Sequence, residues 1–172
     1  MNYFELFEIP VQLKVDATQI RKRYLELTRQ FHPDYHVQTS GDEKQTALEQ
    51  TAELNKAYKT LSSQDATIRY VLQLKGLLED EEKYSLPPDF LMEMMELNES
   101  LAEAEMEADE NSKTRLVQQL INFQQQIYEP VQDIVEHYKE GITTTEELLQ
   151  VKEYYFKKKY LLRIAQQMGQ KL

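Results

Sequence analysis

The sequence predicts an all-α protein in two parts, an antiparallel helical hairpin in the N-terminal part and a three-helix bundle in the C-terminal half. Three observations lead there. Only 4 glycines and 5 prolines occur among 172 residues, while Glu, Gln, Lys, Leu and Met abound, so there is little material for long irregular loops. Apolar residues recur three and four positions apart in successive stretches, the spacing of one helical face. Leu86-Pro87-Pro88-Asp89 divides these stretches, because consecutive prolines favour extended backbone and Pro88 cannot continue a preceding helix. Hydrophobic residues make up 41% of the chain, enough for one sizeable core or two small ones.

The first strong helix start is Asp16-Ala17-Thr18-Gln19. Asp16 is placed to cap free amides, Gln19 to reach back, and Val15 to staple onto Ile20. Ile20, Tyr24, Leu27 and Phe31 form the inward face, and Pro33 ends the helix by restricting His32. At roughly 100° per residue, Lys22, Leu25 and Arg29 point away from that face and Arg21 flanks it. Tyr35 to Asp42 reads as a loop, with Ser40-Gly41 as its turn signal. A second helix follows from about Glu43 to Leu61, with Ala47, Leu48, Thr51, Leu54, Ala57, Tyr58 and Leu61 as its packing stripe. The two helices are expected to pair antiparallel. Ile68, Val71, Leu72, Leu74 and Leu77 indicate a further helical piece before the polar run Glu79 to Lys83.

Beyond the prolines, three helical patterns run over about Asp89 to Ala108, Ser112 to Tyr138 and Thr144 to Met168. Asn111-Ser112 and Gly141 punctuate them, and Thr144 with Glu147 makes a capping box. Short connections imply an up-and-down bundle. Pro130 falls inside the middle pattern, where it either kinks the helix or divides it. On the first helix, Phe90, Met94, Leu97, Leu101, Ala104 and Ala108 fill the core face; on the last, Leu148, Val151, Tyr155 and Leu162 do so, with Leu149, Phe156 and Tyr160 as a second stripe.

Composition excludes several functions. With no cysteine there are no disulfides, thiolate metal sites, Cys-ligated clusters or Cys nucleophiles. A formal net charge of -10 opposes binding to a phosphate backbone, so nucleic acid is not an expected partner. The N-terminus lacks a basic stretch leading into an apolar one, and no apolar run approaches the roughly 20 residues of a membrane span, so the expected compartment is the cytoplasm, with no membrane partner. Pro33 prevents His32 and His36 from aligning on one continuous helix, and His137 lies in the other lobe, where it reads as surface or helix-end structure. No phosphate-cradling glycine loop and no nucleophile turn is present, so neither a metal site, a cofactor nor catalysis is expected.

Charge is unevenly spread. Arg21, Lys22, Arg23 and Arg29 crowd the first helix, whereas Glu79 to Glu110 is strongly acidic, which suggests two different partners. The string His32-Pro33-Asp34 follows the basic helix directly. By itself it has a plain structural reading, a helix stop in which Asp34 bonds nearby amides. Its setting adds more: a capped helix with a basic outer face before it, Leu54-Asn55-Lys56-Ala57-Tyr58-Lys59-Thr60-Leu61 on the helix after it, and Tyr3-Phe4-Glu5-Leu6-Phe7 near the start. Together these resemble a J domain, the module that stimulates ATP hydrolysis by DnaK-type chaperones. The resemblance implies that His32, Pro33 and Asp34 engage the ATPase, with Arg21, Lys22, Leu25 and Arg29 forming the docking face. Proline would fix the loop from which the imidazole and carboxylate project, and the cations would steer association.

The helix from Asp89 holds apolar residues its core face does not need. Leu91, Met92 and Met95 lie on the other side with Glu96, Glu99 and Glu103. Flexible thioethers bordered by carboxylates suit a partner contact; a further core layer or a solvated acidic face would account for them equally. Phe156 either joins this patch or is core.

Over nearly its whole length the chain resembles the HscB family of co-chaperones of bacterial iron-sulfur cluster assembly. The resemblance implies a J domain over residues 1–76, a linker over 77–88 and a three-helix bundle over 89–172. Carried over by position, it makes Leu91, Met92, Met95, Glu96, Glu99, Glu103 and Phe156 contacts for the cluster scaffold IscU, and HscA the chaperone whose ATPase is stimulated. The protein would not itself be an enzyme. Tyr35 stands where J domains often have lysine, and the segment around Ile68-Arg69-Tyr70 keeps the family pattern only loosely. The cysteine-bearing N-terminal extension of some eukaryotic relatives is absent, as expected of a bacterial-type form. A J-domain protein serving another client, and a helical adaptor with an incidental His-Pro-Asp, are the competing readings.

Overall fold

The computed structural model describes residues 1–32, 41–170 and 172, and those residues are helical throughout their regular structure. They form two compact units. The first comprises Met1–Lys75 with Tyr138–Ile142, the second Gly76–His137 with Thr143–Leu172.

In the first unit, α1 (Tyr3–Phe7) is a single turn held by a capping box between Asn2 and Glu5, which satisfies amides that so short a helix cannot pair internally. It buries Phe4 and Phe7 and stacks Tyr3 on Tyr70 of α4 (Gln64–Leu74), ring centroids 4.5 Å apart, while the Tyr3 amide donates to the Tyr70 hydroxyl at 2.9 Å. Burial raises the Tyr70 phenol above its ordinary pKa. Helix α2 (Ala17–Phe31) starts at Asp16, whose carboxylate accepts from the Gln19 amide at 2.9 Å. Its partner α3 (Gly41–Leu61) runs antiparallel to it. Phe31 lies beside Thr51, which donates to the Phe31 carbonyl at 3.2 Å, while Tyr24 stacks on Tyr58 at 4.1 Å and donates to Asn55 at 2.7 Å.

Two details of this hairpin depart from the expected ones. Helix α3 begins at Gly41 rather than near Glu43, with Asp42 and Glu43 in its first turn, where carboxylates favour the positive end of the helix. Leu48 is 51% exposed: Ala47, Leu54 and Leu61 recur every seven residues and hold the seam, leaving Leu48 about 100° off it. Leu74 is likewise exposed, while Ile68, Val71 and Leu72 are buried. Thr67 is fully buried, and its hydroxyl donates to the carbonyls of Thr60 and Ser63, so the α3–α4 corner leaves no polar orphan there.

The second unit is built on α5 (Pro88–Met106), α6 (Glu110–Tyr128) and α8 (Thr145–Gln167), with the short α7 (Gln132–Glu136) between the last two. Pro88 sits in the first turn of α5, where its missing amide costs nothing. Phe90, Met94, Leu97 and Leu101 pack with Leu120 of α6 and Leu161, Ile164 and Ala165 of α8. Pro130 divides the middle pattern: a 3-10 turn at Glu129–Val131 separates α6 from α7. The capping box of Thr144 and Glu147 is present.

The sequence-based boundaries and faces need three corrections here. Helix α6 starts at Glu110, capped by Asp109, whose carboxylate accepts from the Ser112 amide and hydroxyl; these bonds hold the carboxyl below its ordinary pKa. Ala108 is exposed, not core. It adopts left-handed backbone (φ 51°) while its amide donates to the Glu105 carbonyl and that of Asp109 to the Ala104 carbonyl, the bond pair of a helix end that usually takes glycine. On α8 the buried face runs through Leu148, Val151, Tyr154, Leu161 and Ile164. Tyr155 and Leu162 are only partly buried, because the stripe advances by three residues from Val151 rather than four.

Residues 77–88, expected as a linker, group with this unit. Leu78 is buried, Lys152 pairs with Glu82 at 2.7 Å, and Tyr84 stacks on Phe156 with centroids 4.6 Å apart and planes 3° from parallel. The Lys152 ammonium, bonding the Glu82 carboxylate, holds that carboxyl below its ordinary value of 4.5. Among the described residues no helix is long and apolar enough to cross a membrane.

Candidate functional site

Two surfaces, one on each unit, carry the residues singled out from sequence. The first is the outer side of α2. Because Ile20 and Leu27 are buried toward α3, Arg21, Lys22, Leu25 and Arg29 are carried outward, and all four are exposed. Arg23 leaves the group by pairing with Glu8 at 2.8 Å and Glu26 at 3.1 Å. Among the described residues Arg21, Lys22 and Arg29 take no ion pair, so their charge is available outward. Leu25, 50% exposed among them, gives the basic face an apolar centre.

His32 follows α2 directly and caps it. Its amide donates to the Thr28 carbonyl at 2.9 Å, and its backbone is extended at φ -62° and ψ 133°, the conformation a following proline imposes. The helix therefore ends where the proline predicts. Pro33 and Asp34 lie outside the described residues, as do Tyr35 and His36. His137 caps α7, exposed, with Nδ1 3.0 Å from Asp133 Oδ1.

The second surface is the outer side of α5. Since Phe90, Met94, Leu97 and Leu101 are buried, Met92 and Met95 stand 63% and 65% exposed, and Glu96, Glu99 and Glu103 are exposed beside them. Leu91 is half-buried. It lines a cleft of about 530 Å³ together with Phe156 of α8, Tyr84 and Leu86 of the preceding segment, and Tyr160. The fold thus brings Leu91 and Phe156 together from helices 65 residues apart in sequence. Phe156 is half-buried, sandwiched by chemistry that fixes its ring: parallel to Tyr84 and edge-on to Tyr155 at 5.2 Å. Glu103 stands apart from this cleft, at a second one of about 390 Å³ with Ser112 and Arg115.

Tyr84, Lys159, Tyr160 and Arg163 line the Leu91–Phe156 cleft; of these only Tyr160 was singled out from sequence, as part of the second stripe of the last helix and not as a contact residue. Tyr84 was hidden by its place in a polar, proline-bounded stretch. The spacing Phe156, Lys159, Tyr160, Arg163 was the available signal, since positions i, i+3, i+4 and i+7 share one helical face.

Comparison with known proteins agrees with this organisation. Residues 2–70 match the DnaJ domain family, and residues 86–169 match the HSCB C-terminal oligomerisation domain family. The co-chaperone protein HscB homolog of Psychromonas ingrahamii is 37% identical over 128 residues, covering 74% of this chain and 73% of that protein. The Vibrio cholerae homolog is 39% identical over 102 residues, and the match spans 60% of its length. Among solved structures, human co-chaperone protein HscB has a TM-score of 0.80 at 29% identity, covering 98% of this chain and 81% of that one. Chaperone HscB from Vibrio cholerae has a TM-score of 0.67 at 28% identity, covering 98% and 99%.

A DnaJ-type hairpin followed by a separate helical unit defines a J-domain co-chaperone. Within that class, the second unit and the length of the shared sequence decide the matter: this chain belongs to the HscB family.

Proposed function

We propose that the chain stimulates the ATPase of a DnaK-type chaperone, HscA, and delivers to it the iron-sulfur cluster scaffold IscU. The observation that carries this reading is the pairing of two unspent surfaces on two units. One is a basic face on α2, without an ion pair to Arg21, Lys22 or Arg29 among the described residues, that leads into His32-Pro33-Asp34; the other is an exposed thioether and carboxylate face on α5. Arg21, Lys22 and Arg29 would steer docking onto an acidic chaperone surface, Leu25 would supply apolar contact, and His32 with Asp34 would act on the ATPase from the proline-fixed turn. Leu91, Met92 and Met95, bordered by Glu96, Glu99 and Glu103 and completed by Phe156, would hold IscU. The protein would work in the cytoplasm without a cofactor and without catalysing a reaction itself.

The scaffold half is tested by binding. Phe156 also supports Tyr84, so the cleaner variant is Met92→Ala with Met95→Ala, both exposed. Loss of two central apolar anchors should weaken IscU binding at least about tenfold, measured by titration calorimetry on a variant with unchanged circular dichroism. Unchanged affinity would reject the α5 face.

A further inference from the structure

We propose that the cleft between α8 and residues 82–86 is a second, oppositely charged part of the scaffold-binding surface, and that it takes an acidic segment of IscU with an apolar residue at its centre. This rests on the reading of the α5 face given above. The cleft is continuous with that face through Leu91, which lines it.

Its walls are of two kinds. Tyr84 stacked on Phe156, with Leu91 and Tyr160, gives an aromatic and aliphatic interior. The polar residues are Glu82, Lys83, Ser85, Lys159 and Arg163. Glu82 is already neutralised by Lys152, in a pair whose side chains are 19% and 14% exposed. Lys83, Lys159 and Arg163 are exposed, and among the described residues none of them takes an ion pair. In a chain of net charge -10, three uncompensated cations around one apolar cleft are a local reversal of sign.

The charge dictates the occupant. A carboxylate-bearing segment would pair with Lys159 and Arg163, which stand one helical turn apart on α8, while an aliphatic or aromatic side chain fills the Leu91–Phe156 interior. Glu96, Glu99 and Glu103 on α5 ask for the reverse, cations on the partner. A partner that must satisfy both signs at once can dock in one orientation only, and one docked backwards meets like charges at both ends.

The test is titration calorimetry of IscU with the full-length protein, comparing wild type, Lys159→Glu with Arg163→Glu, and Met92→Ala with Met95→Ala. Reversal of the two exposed cations should weaken binding about tenfold, and the neutral pair Lys159→Gln with Arg163→Gln by a smaller factor, with helicity and Tm unchanged. If the methionine variant loses binding while the charge-reversed one binds as wild type, the cleft is overturned and the α5 face stands. If neither variant differs from wild type, or wild type does not bind, the reading of the α5 face fails and takes the cleft with it.

Discussion

Glu82 illustrates how a side chain in a supposed connector can become structural. Its pairing with Lys152, both side chains mostly covered, ties residues 77–88 onto α8 and sets Tyr84 against Phe156. Because Lys152 holds the Glu82 carboxyl below its ordinary 4.5, the pair contributes in full above that value and is lost as pH falls through the lower folded-state one. Glu82→Gln should therefore cost about 1 kcal/mol or less at pH 7. The difference from wild type should shrink as pH falls below about 4.5, read from urea midpoints; a gap independent of pH would assign the loss to packing instead. None of this was legible from sequence, since an ion pair 70 residues apart leaves no periodic trace. His32 was legible, because proline restricts the residue before it wherever it occurs, and its extended backbone is the result.

Helix ends and helix faces set the intermediate scale. Helices α5 and α8 finish with the same bond pair, yet one places Ala108 and the other Gly169 in left-handed backbone, at φ 51° and φ 71°. Only glycine takes that conformation without steric cost. Ala108→Gly should stabilise the protein by about 1 kcal/mol and Gly169→Ala should destabilise it by a similar amount, both read from thermal unfolding. Equal and opposite failures, with neither Tm moving, would mean the ends fray. The same elements show what pattern reading can and cannot recover. Strong single stripes, such as Phe90, Met94, Leu97 and Leu101, were legible because their spacing admits one face. Helix α8 carries aromatics on two sides, so the choice between Tyr154 and Tyr155 turned on which side its neighbours occupy. Periodicity does not contain that information.

At the scale of the whole molecule, the proposed function divides between two units that each leave one face unspent. The basic face of α2 and the thioether and carboxylate face of α5 were both legible by subtraction, as residues that core packing did not require. The cleft beside the second face was not, because Tyr84 reaches it from outside the bundle pattern. Division of labour makes a specific prediction: Met92→Ala with Met95→Ala should weaken IscU binding while leaving the IscU-independent stimulation of the chaperone intact, and His32→Ala should do the converse. Variants that impair both activities together would contradict separate surfaces. The most direct measurement is the steady-state ATPase rate of HscA with saturating IscU, titrated with wild-type protein and with His32→Ala. Wild type should accelerate hydrolysis, whereas His32→Ala, folded and still binding IscU, should not; stimulation by His32→Ala equal to wild type would exclude the His32-Pro33-Asp34 turn as the activating element.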